Sequence, residues 1–87
     1  MEHICYGPKM KYVFNKNTLQ FAIFKIGSHE DFQNIHPTSA GFLYFYNYQN
    51  QYGEKQIGVE CFGESISLNL KFDEEDSKKI TFLLKED

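Results

Sequence analysis

The 87-residue chain contains no arginine and no tryptophan, only two prolines and two cysteines, and no long apolar run. Without arginine, all nine basic side chains are lysines, so the planar fork that best reads phosphate, carboxylate or guanine is missing. With a net charge of -3, this argues against a double-stranded nucleic-acid partner. The acidity is local: residues 60–87 hold eight carboxylates against four lysines, and residues 1–59 four against five. Neither half carries a basic stripe. No window approaches the roughly 18 apolar residues of a membrane helix, and MEHICYGPKM lacks the apolar core of a secretory leader. A cytoplasmic protein with no membrane partner is therefore expected. In such a chain Cys5 and Cys61 are expected as free thiols rather than a disulfide.

What is abundant is aromatic: nine Phe and six Tyr, residue types that suit a pleated, half-buried surface. The length bounds the chain to one domain with a modest core. Residues 1–9, closed by Gly7-Pro8, read as a flexible arm, and residues 10–87 as a single α+β domain. "MKYVF" alternates with Met10, Tyr12 and Phe14 on one face, and "LQFAIFKI" follows the turn formers Asn15-Lys16-Asn17. Leu19, Phe21 and Ile23 make one face of that second strand. Ala22, Phe24 and Ile26 make another, so both sides should be covered, or the strand should lie centrally.

Gly27 breaks the strand, and Ser28-His29-Glu30-Asp31 offers an N-cap with an acid three residues on. A short helix should follow and end before Pro37. "SAGFLYFYNYQ" re-enters the sheet, residues 50–53 turn it, and "KQIGVECF" returns. A four-residue loop would set Phe42, Tyr44 and Tyr46 on the face of Val59; a five-residue loop would set Leu43 and Phe45 there. With a turn at Gly63-Glu64, Cys61 would face Ile66, Val59 would face Leu68 and Ile57 would face Leu70, leaving Ser65 and Ser67 on a polar face. Acids at 73–76 followed by Ile80, Leu83, Leu84 and lysines fit a helix with one buried stripe. The expected order is β-β-α-β-β-β-α, a five-stranded antiparallel sheet with a C-terminal helix packed on one face.

No motif commits to a chemistry. "GESIS" starts like a serine elbow but lacks its second glycine and leads into a strand. Cys61 falls on the apolar face, where a thiol is a small hydrophobe; an enzyme using Cys61 or His29 is the weakest alternative. His3 with Cys5, and His29 with Glu30 and Asp31, lack the paired spacing of a zinc site, so no metal and no cofactor are expected. Asp73, Glu74, Glu75 and Asp76 read as a solvated first helical turn or a protein-facing surface. The row Phe42, Tyr44, Tyr46, Tyr48 reads as a core face, or as a platform for stacking a ring or for a symmetric dimer contact.

Four stretches in order, "GSHED", "SAGF", "CFGESISL" and "EED" between Gly27 and Asp76, resemble a group of small uncharacterised bacterial proteins. That group carries a Ser-His-x-acid stretch, Ser-Ala-Gly-Phe, an aromatic-Gly-x-Ser-x-Ser-Leu run and a Glu-Asp pair. Where the group has Ser or Pro, Asp73 stands here. The resemblance implies a shared fold and transfers no activity, and it directs attention to His29, Ser39, Gly41, Gly63, Ser65 and Ser67.

The function expected from these residues is a non-catalytic binding protein, working as a homo-oligomer and sequestering a nucleotide-like or other small ligand. Ser28, His29, Ser39, Tyr44, Tyr46, Gly63, Ser65 and Ser67 would contribute, where the Gly63 turn, the Ser28 helix start and the aromatic strand converge. The alternative is a protein inhibitor of the toxin-immunity or phage counter-defence kind, acting through Asp73 to Asp76 on a basic partner.

Overall fold

The computed structural model describes residues 3–49 and 51–85, with side chains from residue 5 onward. Four strands form one antiparallel sheet: β1 (His3–Asn15), β2 (Gln20–Phe24), β3 (Ser39–Gln49) and β4 (Lys55–Phe62), in the order β2-β1-β3-β4. β5 (Glu64–Ser65) and β6 (Leu70–Lys71) pair only with each other. A 3-10 helix (His29–Ile35) follows β2, and α1 (Asp76–Leu84) closes the chain.

The stretch read as an arm is, from His3 on, the first half of β1, paired with β3 as far as Gln49; residues 1 and 2 lie outside the described residues. Gly7-Pro8 does not end the strand. The register slips between Tyr6 and Lys9, so the proline, which lacks a ladder donor, sits in a bulge. The first hairpin turns as expected: Asn15 Oδ1 accepts from the Asn17 and Thr18 amides at 2.8 and 3.2 Å, and Leu19 takes positive φ. Leu19 therefore belongs to the turn, and Ile26, expected on a covered face, is exposed. Strand β2 lies at the sheet edge, yet both its faces are covered.

One face of the sheet carries the main core of Tyr12, Phe14, Leu43, Val59 and Cys61, closed by Ile80 of α1. The opposite face buries Val13, Phe24 and Ala40 against Phe32 and Ile35 of the 3-10 helix and Leu68 and Leu70 from the β5–β6 segment. Leu43 pairs with Cys61 and Phe45 with Val59, the register of the five-residue loop; Asn50 in that loop lies outside the described residues.

The expected fifth strand is absent from the large sheet among the described residues. Ile66, expected opposite Cys61, is 89% exposed, and Ile57 is exposed too. Leu68 and Leu70 pack on the face away from Cys61. Gly63 does turn the chain, with φ 76°, but Ser65 Oγ accepts from the Leu68 amide at 3.3 Å and closes a tight local loop in place of a ladder. The outer edge of β4 is taken by α1 instead: the Val59 amide donates to Thr81 Oγ1 at 3.1 Å and the Cys61 amide to Ser77 Oγ at 2.9 Å. Four residues of helix rise about 6 Å and two residues of strand about 6.6 Å, so hydroxyls at i and i+4 meet successive outward amides. No helix of the described residues is long and apolar enough to cross a membrane.

Candidate functional site

The second sheet face is closed at one end only. Beyond Ala40 the even positions of β3, Phe42, Tyr44, Tyr46 and Tyr48, stay half-buried, joined by Phe62 of β4 and by Tyr6 of β1, which is 58% exposed. The rings touch in sequence. Phe42 and Phe62 lie 5.9 Å apart, and Tyr44 stacks on Phe62 at 5.1 Å and 17°. Tyr6 stands edge-on to Tyr44 at 6.2 Å and 5.9 Å from Tyr46, which is 5.9 Å from Tyr48. Offset and edge-to-face pairs of this kind hold the rings by their quadrupoles as well as by burial. Gly58 makes room for the row: a Cβ there would come within 2.5 Å of Tyr46 Cζ and its hydroxyl.

The expected convergence occurs at the Phe42 end. His29 stands edge-on to Phe42 at 5.7 Å, and its Nε2 lies 2.8 Å from the Gly41 carbonyl; that nitrogen carries the proton, because a carbonyl only accepts. A Cβ on Gly63 would lie 3.0 Å from Phe42, and one on Gly41 would meet the Phe62 carbonyl oxygen at 2.5 Å. Here glycine is required for backbones to approach closely.

The polar donors expected to hold a ligand are engaged within the chain. Ser28 Oγ accepts from the Glu30 amide at 3.3 Å, and Asp31 Oδ2 accepts from the Ser28 amide at 2.9 Å, a closed capping box. Ser65, expected on an open polar face, is 2% exposed, and its hydroxyl bonds Ser67 Oγ and the Leu68 amide. Ser67 is exposed. Ser39 sits opposite Phe14, away from the row, and its buried Oγ has no hydrogen-bond partner among the described residues. Tyr6 was missed because its stretch read as an arm; its signal was the β-favouring Ile4-Cys5-Tyr6 ahead of the bulge.

The acidic run divides. Asp73, Glu74 and Glu75 are exposed, but Asp76 is 2% exposed and is not part of a solvated turn. Its Oδ2 accepts from the Tyr12 hydroxyl at 2.5 Å and from the Asp73 amide at 3.1 Å. This ties α1 to the sheet. Burial, then the bond to Asp76, raises the Tyr12 hydroxyl far above its ordinary range. Burial pushes the neighbouring Cys61 thiol up to about 11, against a bond with Ser77 that lowers it.

A buried thiol with that pKa is protonated at neutral pH and a poor nucleophile. Cys61 and His29 also face opposite sides of the sheet, so the pair does not meet. Both cysteines are free thiols, and no three His, Cys, Asp or Glu of the described residues are grouped to hold a metal.

No protein-family model, curated protein or solved structure matches the chain.

Proposed function

We propose that the protein is a non-catalytic cytoplasmic binding protein that holds a small planar ligand, nucleotide-like in its ring, on the tyrosine face of the sheet. The observation that carries this is the unbroken row of six rings, five half-buried and Tyr6 exposed, left where the cover of that face stops. Stacking a planar group on an aromatic side chain contributes about 1–3 kcal/mol per ring, and tyrosine adds a hydroxyl at the rim. With Ser28, Asp31 and Ser65 bonded internally and no arginine present, recognition falls on the ring rather than on a phosphate. Homo-oligomer formation is assigned to an apolar patch of Leu19, Phe82 and Leu83 on the α1 side.

The test is a thermal-shift and tyrosine-emission screen of nucleosides and related ring compounds, repeated with Tyr44→Ala and Tyr46→Ala. A ligand that raises the melting temperature in the parent and in neither variant supports the reading. Equal shifts in all three proteins would sink it. The inhibitor reading is favoured by one observation, the exposed group Asp73, Glu74 and Glu75; it requires salt-sensitive association with a basic protein that neutralising those three residues abolishes.

A further inference from the structure

On β4, Glu60 stands opposite Tyr44, on the same face as Phe62 two residues on and as Gly58, over which the Tyr46 ring lies. It is exposed, and among the described residues it has no ion pair or hydrogen-bond partner. An unpaired carboxylate amid aromatic rings makes a local field that favours cations, since ring faces are themselves negative. The Tyr46 hydroxyl registers that field: its pKa is raised, first by burial, then by Tyr48, Glu60 and Tyr6. The face already holds one cation of its own, the Lys9 ammonium, 4.8 Å from the Phe42 centroid. At the other end Lys85 donates to Gln56 Oε1 at 3.3 Å, and Gln56 accepts from the Tyr48 hydroxyl. Lys78 borders a cleft beyond Tyr46 on the α1 side. Lys9 stands across Tyr44 from Glu60, on β1, with its ammonium carried toward Phe42, and the Tyr46 side of Tyr44 is left to Glu60.

We infer that this middle segment, Tyr6, Tyr44, Tyr46 and Glu60, receives the guanidinium of an arginine presented by an extended basic segment of a partner protein. A guanidinium stacks flat on tyrosine and forks onto a carboxylate, which an ammonium cannot do. The chain has no arginine of its own to compete, and its net charge of -3 draws a basic partner in. From Phe42 to Tyr48 the row runs roughly 20 Å at about 3.3 Å per residue, longer than a single small cation covers and suited to an extended peptide. The inference rests on the tyrosine face being a binding surface and goes beyond the small-ligand reading by giving its middle segment a second occupant, a planar cation on a protein.

Tyrosine emission would be titrated at low salt with alternating Arg-Gly and Lys-Gly peptides, with N-acetylarginine amide and with adenosine. The Arg peptide should bind about tenfold tighter than the Lys peptide or the single amide, and Glu60→Gln should lose about tenfold for it. Equal binding of the two peptides, or of the Arg peptide and the single amide, overturns the proposal, as does an unaffected Glu60→Gln. If adenosine binds and neither peptide does, the proposal falls while the tyrosine-face reading stands. If Tyr44→Ala changes no titration, both fall. Emission that shifts with protein concentration alone puts a second copy on the face and also overturns it.

Discussion

Cys61 shows how one residue's surroundings decide its chemistry. Its alternation with Val59 already places the thiol inward, and the structure adds burial and then the nearby Asp76 carboxylate, which hold its proton on against the bonds with Ser77 and Tyr12. The sign of the resulting pH dependence follows directly. Below pH 9, the thiol's ordinary value, folded and unfolded chains both keep the proton and stability is full. Between 9 and about 11 only the unfolded chain releases it, so stability falls as pH rises, by at most about 1.4 kcal/mol per pH unit for one group. Tyr12, also raised, adds in the same direction above its ordinary value of 10.0. Urea midpoints should therefore decline from pH 9 upward, and Cys61→Ala should flatten the first part of the decline; a profile unchanged by that substitution would contradict the account. Asp76 was the residue least legible in the sequence: it sits in a run of four acids, and nothing local marks which one turns inward to Tyr12.

Among elements, strands whose two faces differ in the sequence were legible and the segment after β4 was not. Met10, Tyr12 and Phe14 share a face because alternation alone puts them there, and Ser28 with Asp31 announces the 3-10 helix. The path of residues 64–71 depends on matters outside that segment: Val13, Phe24 and Ala40 need a cover, and the β4 edge is already bonded to Ser77 and Thr81. Removing those bonds should expose the edge. Ser77→Ala and Thr81→Val should each cost about 1 kcal/mol, with faster amide exchange confined to Cys61 and Val59 respectively. Slowed or unchanged exchange at those amides would argue against the hydroxyls as edge caps. The glycines separate packing from function in a similar way. Gly41→Ala drives a methyl into the Phe62 carbonyl oxygen, a backbone clash that should cost roughly 3 kcal/mol or more. Gly58→Ala meets only the movable end of Tyr46, so its stability should stay within about 1 kcal/mol of the parent, while ligand affinity at the tyrosine face drops about tenfold. Retained affinity in a folded Gly58→Ala protein would remove Tyr46 from the site.

At the scale of the whole molecule the two sheet faces are covered unequally, and the outward side of α1 sets one large apolar side chain, Phe82, between the exposed Lys78 and Lys85. Phe82 is 64% exposed and Leu19 49%, and a cleft of about 510 Å³ lies among Leu19, Lys78, Lys79, Phe82 and Leu83. In the sequence Phe82 falls outside the expected stripe of Ile80, Leu83 and Leu84, of which Ile80 is buried and Leu84 is exposed. Two copies related by a twofold axis would bury the same patch on each other; Phe82 also borders the cleft that reaches Tyr46, so the patch adjoins one end of the tyrosine row. Phe82→Lys places a charge in that contact without touching the core. Sedimentation should then shift from a concentration-dependent oligomer in the parent to a monomer in the variant, while the melting temperature extrapolated to low concentration stays the same. If Phe82→Lys leaves the oligomer intact, self-association uses another face. If it abolishes ligand binding as well, the two surfaces are coupled, and the tyrosine row is completed only when the second copy is present.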